Sequence, residues 1–264
     1  MHHVPWQGWQ NAEIYHDFVT RHPIYRRLNE RLVELAEVEA AHRILDLACG
    51  TGATTQAALP RLAPSAEIVG ADASEPMVEV ARARTLDPRA RFVVAAASAV
   101  GEIEGAPFDR VLCNAAIWQF PSLEPVADAL GSVTAAGAIF VFNVPAERVS
   151  DESAPIHPFQ VALARAVEER TGRAFSRTPS GFDVPSIRNI LERAGFSLET
   201  PERFVYRGRQ RELVELMRIP AMTAPLAPGL PWPERLEIID AAEQRVDLDD
   251  VVEVPWIYFR AIRS

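Results

Sequence analysis

The chain is short of cysteine, lacks a leader pattern and has no apolar run of membrane length, and each shortage removes a class of protein. Its 264 residues include two cysteines, Cys49 and Cys113. Each stands beside an expected strand end, which fits buried free thiols and argues against a disulfide framework. The opening residues Met1-His2-His3-Val4-Pro5-Trp6 show no basic region followed by an apolar stretch. No segment approaches the roughly 18 uninterrupted apolar residues of a bilayer span. A soluble cytoplasmic protein without a membrane partner is expected. Cationic excess is also missing: 27 Lys+Arg against 36 Asp+Glu leave a formal net charge of -9. Nucleic-acid binding is driven by basic patches, so no nucleic-acid partner is expected. Arg203, Arg207, Arg209 and Arg211 form a local basic cluster, but Glu202 and Glu212 sit among them, which reads as a solvated face.

What is present is a large apolar fraction, 48%, enough for one sizeable α/β domain. Helical spacing covers residues 11 to 40, with Ile24, Leu28, Leu32, Leu35 and Val38 in phase and Pro23 as a break. Short apolar runs then alternate with helical patterns. Strands are expected at Arg43–Leu47, up to Asp72, at Arg91–Val94, at Phe108–Cys113 and at Ala138–Phe142. Ser74-Glu75-Pro76 reads as a cap and first turn, and a helix is expected around Pro125 to Val133. This alternation implies parallel pairing with right-handed crossovers. The last third differs: a helix over Val184 to Ala194, a strand from Phe196 and a final strand over Val251 to Ile262. Two inserts separate these, with helical patterns at Phe159 to Arg170, Leu213 to Met217 and Arg235 to Gln244.

The segment Asp46-Leu47-Ala48-Cys49-Gly50-Thr51-Gly52 follows the first strand and opens onto a helix. Two glycines let a backbone approach a ligand closely, and the helix behind them offers unpaired N–H groups. Asp72, at the end of the second strand, is placed to accept hydrogen bonds from ribose hydroxyls. The combination points to an adenosine-containing cofactor on a Rossmann-like sheet. A dinucleotide carries an anionic pyrophosphate, which favours a third glycine and neutral surroundings. Here Thr55 takes the third position, and the Asp46 carboxylate would repel a pyrophosphate. The same carboxylate suits an ammonium group, directly or through water.

The stretch resembles the first motif of class I S-adenosylmethionine (SAM)-dependent methyltransferases, D-x-x-x-G-x-G, of the small-molecule, natural-product type. Gly70-Ala71-Asp72-Ala73-Ser74-Glu75-Pro76-Met77 is similar to the family's second motif. Phe108-Asp109-Arg110-Val111-Leu112-Cys113-Asn114 resembles its fourth-strand motif, and Leu191-Glu192-Arg193-Ala194-Gly195-Phe196 the stretch before strand six. The resemblance implies an α/β fold: a Rossmann-like, seven-stranded, mostly parallel sheet with its last strand antiparallel and helices on both faces. It implies one domain over 1–264. The cofactor core would span about 41–144 plus strands six and seven near 196–206 and 251–262. A helical cap would come from about 1–40, 145–183 and 207–249. SAM is the implied cofactor, with Asp72 on the ribose, Met77 and Ala73 beside the adenine, and Asp46, Ala48, Gly50, Thr51, Gly52 and Asn114 around the rest. Tyr15 stands where related enzymes carry a tyrosine that closes over SAM. One departure is Ala96, where the family often has an acid that accepts from adenine; the Ala97 N–H and Ser98 are the remaining candidates there. No C-x-x-x-C-x-x-C cluster is present, which argues against radical SAM chemistry.

The acceptor is expected to be an apolar small molecule, methylated on O, N or C. The nucleobase signatures N-P-P-Y and D-P-P-Y are absent after strand four, where Asn114-Ala115-Ala116-Ile117 stands. Trp118, Phe120, Tyr25, Met217 and Met222 are candidate lining residues, though each is equally an ordinary core side chain. In-line methyl transfer draws mainly on proximity and orientation. If a base is needed, His22 and His157 are the candidates, with His16 behind them. No metal is expected. Two alternatives stay open: a SAM-binding protein without methyl transfer, and an NAD-dependent oxidoreductase, for which the third glycine and a Y-x-x-x-K pair are missing.

Overall fold

The computed structural model of the chain describes residues 6–150, 152–174 and 181–264. Its first strands are β1 (Arg43–Leu47), β2 (Glu67–Asp72), β3 (Ala90–Val94), β4 (Phe108–Cys113) and β5 (Thr134–Pro145). All pair in parallel, in the order β3-β2-β1-β4-β5. β1 and β2 are buried along nearly their whole length because helices cover both faces of a parallel sheet. The intervening helices are α3 (Ala53–Ala58), α4 (Glu75–Arg84) and α5 (Glu124–Val133). α1 (Trp9–Arg21) and α2 (Pro23–Leu35) precede them, and Pro23 sits at the start of α2, where its missing N–H costs nothing.

After β5 come α6 (Pro158–Thr171), α7 (Val184–Arg193), β6 (Phe196–Leu198) and β7 (Glu202–Arg209). The chain continues through α8 (Gln210–Met217), α9 (Pro220–Thr223), α10 (Trp232–Glu243) and β8 (Val251–Arg263). β8 runs antiparallel to β5, from Ile139↔Ile262 to Pro145↔Trp256. Among the described residues the sheet has eight strands where seven were expected. The difference lies in the sixth. β6 pairs with the last residues of β8 and β7 with Val251 to Tyr258, so the two lie end to end on one edge of the same strand. Pro201, which has no N–H to donate, falls between them. The basic stretch expected as a solvated face is the outer side of β7: Arg203, Arg207 and Arg209 are exposed and Tyr206 is buried.

Four groups of apolar side chains hold these layers. One face of the sheet packs against α5 and α7 through residues such as Val111, Leu130, Phe142 and Leu191. The other packs against α1 and α2 through Phe18, Leu28, Ile44 and Val141. A third group joins α6, α8 and α10 among themselves, through Phe159, Val214 and Ile239. Each fully buried side chain of this size contributes about 1.5–3 kcal/mol. Long-range hydrogen bonds tie the N-terminal helices to the last strand: Tyr258 donates to the Leu28 carbonyl at 2.8 Å and Arg260 to that of Leu35 at 3.0 Å.

The fourth group is small and sits beneath the turn after β1. It contains Cys49, Val78, Ala81 and Phe92. The Phe92 ring lies against Gly70 of β2, where a Cβ would stand 2.4 Å from the ring and 3.0 Å from the Cys49 sulfur. The same ring supports Gly52 at the head of α3, 3.3 Å from where its Cβ would be. Gly70→Ala is therefore expected to force Phe92 from its place and lower stability by about 1–3 kcal/mol, the usual range for an overpacked core. Urea unfolding checks this; an unchanged midpoint would show that the ring can move at no cost.

Candidate functional site

Two carboxylates lie where the parallel strands end. Asp72 closes β2, and both its oxygens accept backbone N–H groups: Oδ2 from Gly50 at 2.9 Å and Oδ1 from Ser74 at 2.8 Å. Burial raises its pKa, and those two hydrogen bonds oppose the rise. Asp46, in β1, is fully buried. Its Oδ2 accepts the Thr55 hydroxyl at 2.7 Å, and its Oδ1 has no hydrogen-bond partner among the described residues. Burial pushes its pKa up to about 7; the Thr55 hydroxyl works against this and the charge of Asp72 adds to it.

The turn between β1 and α3 runs through three left-handed residues, Ala48 (φ 54°), Gly50 (φ 52°) and Gly52 (φ 85°). Cys49 donates to the Ala71 carbonyl at 3.0 Å, which pins the turn to β2. Thr51 is buried with its hydroxyl unpartnered among the described residues. Tyr15 of α1 packs over the turn, its ring 3.4 Å from where a Gly50 Cβ would be. Trp6 meets Tyr15 edge-on at 5.7 Å, and Tyr25 lies 5.8 Å from it. The segment before α1 is held at the end of β2: Gln7 donates to the Ala73 carbonyl and Ser74 to the Trp6 carbonyl, both at 2.9 Å. The Ser74 hydroxyl was expected to cap α4 and does this instead. Met77 is buried in α4. Ala97 and Ser98 open the 3-10 turn Ala97–Glu102 beyond β3, with Ser98 exposed. Asn114 follows β4, and its Oδ1 accepts from Asn143 at 2.7 Å; Asn143 in turn accepts the Ala115 N–H at 2.7 Å.

Asp46, Ala48, Gly50, Thr51, Gly52, Asp72 and Ala73 thus share the carboxyl ends of β1 and β2, under Tyr15. These residues fit an adenosine cofactor with a cationic tail. Asp46 leaves one buried carboxylate oxygen unanswered, and an unsatisfied charged acceptor costs about 1–3 kcal/mol or more. An ammonium supplies the missing partner, and a pyrophosphate does not.

The candidate acceptor residues divide between neighbouring cores. Tyr25 and Met222 belong with Tyr15 to the group under α1 and α2. Trp118, in the 3-10 turn Ile117–Gln119, touches the groups on both faces of the sheet. Phe120 packs on the α5 side. Met217 lies in the separate group around α6 and α10. His22 starts α2, 4.8 Å from the Phe18 ring; its Nε2 has no partner among the described residues, and burial lowers its pKa. Burial likewise lowers the pKa of His16. The His157 side chain accepts a backbone N–H of α6 in a capping box with Gln160.

Several participants gave no sequence signal as site residues. Thr55 reads as a missing glycine, yet its hydroxyl is the partner of Asp46. Asn143 reaches Asn114 only through the β4–β5 pairing. Ala115 holds a left-handed φ without being glycine.

Residues 44–137 match the methyltransferase domain family. Over 139 residues it is 33% identical to a trans-aconitate 2-methyltransferase of Variovorax paradoxus, covering 53% of this chain and 50% of that one. Over 119 residues it is 40% identical to a demethylmenaquinone methyltransferase of Thermus thermophilus, covering 44% and 52%. The chain therefore spans about half the length of the curated relatives it matches. Among solved structures, the YcgJ protein of Bacillus subtilis superposes with a TM-score of 0.59 at 16% identity, covering 90% of this chain and 98% of that one. At that identity the likeness is one of fold. The matched methyltransferase segment runs from β1 into β5 and contains both carboxylates.

Within that domain Ala48 bears a strain that glycine would not. A left-handed alanine costs about 1–2 kcal/mol, and glycine gives back about 0.4–1 of this through its freer unfolded chain. Ala48→Gly is expected to raise stability by up to about 1 kcal/mol, read as a higher melting temperature. A lower one would show that the Ala48 methyl contributes packing worth more than the strain.

Proposed function

We propose that the protein transfers the methyl group of SAM to a small molecule with an apolar body. The observation that carries this is the buried Asp46–Asp72 pair beneath a two-glycine turn, with one Asp46 oxygen unanswered. When bound, SAM supplies a methyl activated on a sulfonium. Asp72 accepts the ribose hydroxyls while its backbone bonds hold it in place. Asp46 meets the ammonium. Gly50 and Gly52 keep the turn free of side chains, Met77 and Ala73 flank the adenine, and the Ala97 N–H and Ser98 face its edge. Thr51 and Asn114 border the methionine end, Ala48 lines the turn, and Tyr15 covers it.

Beyond the strand ends Trp118, Tyr25 and Met222, with Phe120 and Met217 further out, offer apolar surface to the acceptor. Such a lining excludes water from a reaction that disperses the sulfonium charge. Catalysis rests on holding nucleophile and methyl in line, which needs no group to be ionised by the protein when the acceptor is already a nucleophile. For an acceptor that must lose a proton, His22 and His157 are the candidate bases; the His157 side chain accepts a backbone N–H of α6, and the pKa of His22, lowered by burial, favours the neutral form that can accept.

Calorimetry separates this reading from a dinucleotide enzyme: SAM and S-adenosylhomocysteine are expected to bind, and NAD is not. Tighter binding of NAD than of SAM would reject it. Isotope-labelled SAM with mass spectrometry of the products then tests for transfer as opposed to binding alone.

The pH dependence tests Asp46 itself. Its folded pKa, about 7, lies above the ordinary carboxyl value, so the empty fold favours the protonated form. The stability it lends is full below about pH 4 and is lost as pH rises through 7. A cationic ligand needs the carboxylate, so SAM affinity is expected to rise with pH to about 7 and then level off, by up to about tenfold per unit on the rising limb. Asp46→Asn should flatten this limb. A wild-type affinity independent of pH between 5.5 and 7 would remove Asp46 from the ammonium site.

A further inference from the structure

Where β4 and β5 end side by side, hydrogen bonds join two asparagines to a left-handed residue. Asn143, in β5, is fully buried. Its Oδ1 accepts the N–H of Ala115, a buried residue with a φ of 53°, at 2.7 Å. Its Nδ2 donates to Oδ1 of Asn114, also at 2.7 Å. A backbone N–H can only donate, so the Asn143 atom that meets Ala115 is the oxygen, and the atom left for Asn114 is the nitrogen. Asn114 must meet that nitrogen with its own oxygen. The N–H groups of its amide are then the end it has left to present. Asn114 is only half-buried, at the open end of the sheet.

The neighbours of Asn114 give that orientation its meaning. β4 lies beside β1 with Leu112 in register with Asp46, so Asn114 follows the strand next to the Asp46 carboxylate. Asp46 and Asp72, when ionised, attract a cation and repel an anion. The methionine end of SAM carries both charges: its ammonium suits Asp46, and its carboxylate calls for a donor. An asparagine free to turn could offer its oxygen, a further acceptor beside two acids, or its N–H groups. The bond from Asn143 removes that choice. We propose that Asn143 is a positioning residue that fixes the Asn114 amide as donor to the carboxylate of SAM, so that the two charges of the methionine end are met on adjacent strands. This rests on the methyl-transfer reading for the identity of the cofactor and adds to it a residue that touches no ligand.

The test titrates the full chain by calorimetry with S-adenosylhomocysteine, with its decarboxylated analogue, which keeps the ammonium, and with methylthioadenosine, which lacks both charges. The wild type is expected to bind S-adenosylhomocysteine at least about tenfold tighter than the decarboxylated analogue, the loss that goes with one charge-assisted hydrogen bond. Asn114→Ala should remove most of that preference, and Asn143→Ala should reduce it several-fold. The double variant should lose no more than Asn114→Ala alone, because Asn143 acts through Asn114. None of the three should weaken methylthioadenosine binding by more than about twofold, with melting curves confirming the fold. Should Asn143→Ala fail to fold, Asn143→Leu, which refills the space, takes its place in the cycle. A wild type without the carboxylate preference, an undiminished preference in Asn114→Ala, losses that add in the double variant, or equal losses for methylthioadenosine would each overturn the proposal. Failure of the wild type to bind any of the three compounds would instead reject SAM as the cofactor, and this assignment with it, so the two failures are read apart.

Discussion

The Asp72 carboxylate accepts the Gly50 and Ser74 N–H groups and so joins two chain reversals, the one after β1 and the one after β2. Both reversals would otherwise leave buried backbone donors without partners. Because Asp72 is itself buried, its charge is tolerated only through those donors, and the donors are oriented only because the charge is there. Burial does most to raise the pKa of Asp46, and the nearby charge of Asp72 adds to it. The fold thus brings together two buried acids, one of whose oxygens is unanswered among the described residues, with the Thr55 hydroxyl bonded to Asp46.

Much of this frame was readable in the chain. β1, β2 and β4 occupy the spans expected for them, because each carries a short run of apolar residues that the covering helices bury. β5 extends beyond the expected Ala138–Phe142 at both ends: Asn143 to Pro145 gain pairing from β8, which lies far away in sequence, and Thr134 pairs with Phe108 of β4. The sixth strand was harder to see. Its alternation is carried by arginines outside and by Phe204 and Tyr206 inside, and Thr200-Pro201 divides it. The residue types at the glycine turn were visible, but not their mutual contacts. Thr55 stood out for what it was not, and its bond to Asp46 spans a strand, a turn and a helix.

The region beyond the strand ends was legible only as a set of aromatic and sulfur side chains. Spacing along a helix tells which face is apolar, not which partner that face meets. Tyr25 and Met217 are alike in composition terms, yet one joins the core beside the turn and the other a cluster among α6, α8 and α10. All 27 basic residues of the chain are arginine. Arginine suits this fold because its guanidinium can bridge several acceptors at once, as Arg260 does between Glu37, Glu199 and the Leu35 carbonyl.

Cys49 and Cys113 give the molecule two built-in clocks. Burial raises the pKa of both thiols, and neither is accessible to a reagent in the closed fold. Cys49 lies in the glycine turn above Phe92, whereas Cys113 ends a central strand. Alkylation of Cys49 therefore measures how often the turn opens, and alkylation of Cys113 how often the sheet comes apart. The ratio of the two rates separates local breathing at the ligand cradle from global unfolding, with no added label and no change to the sequence.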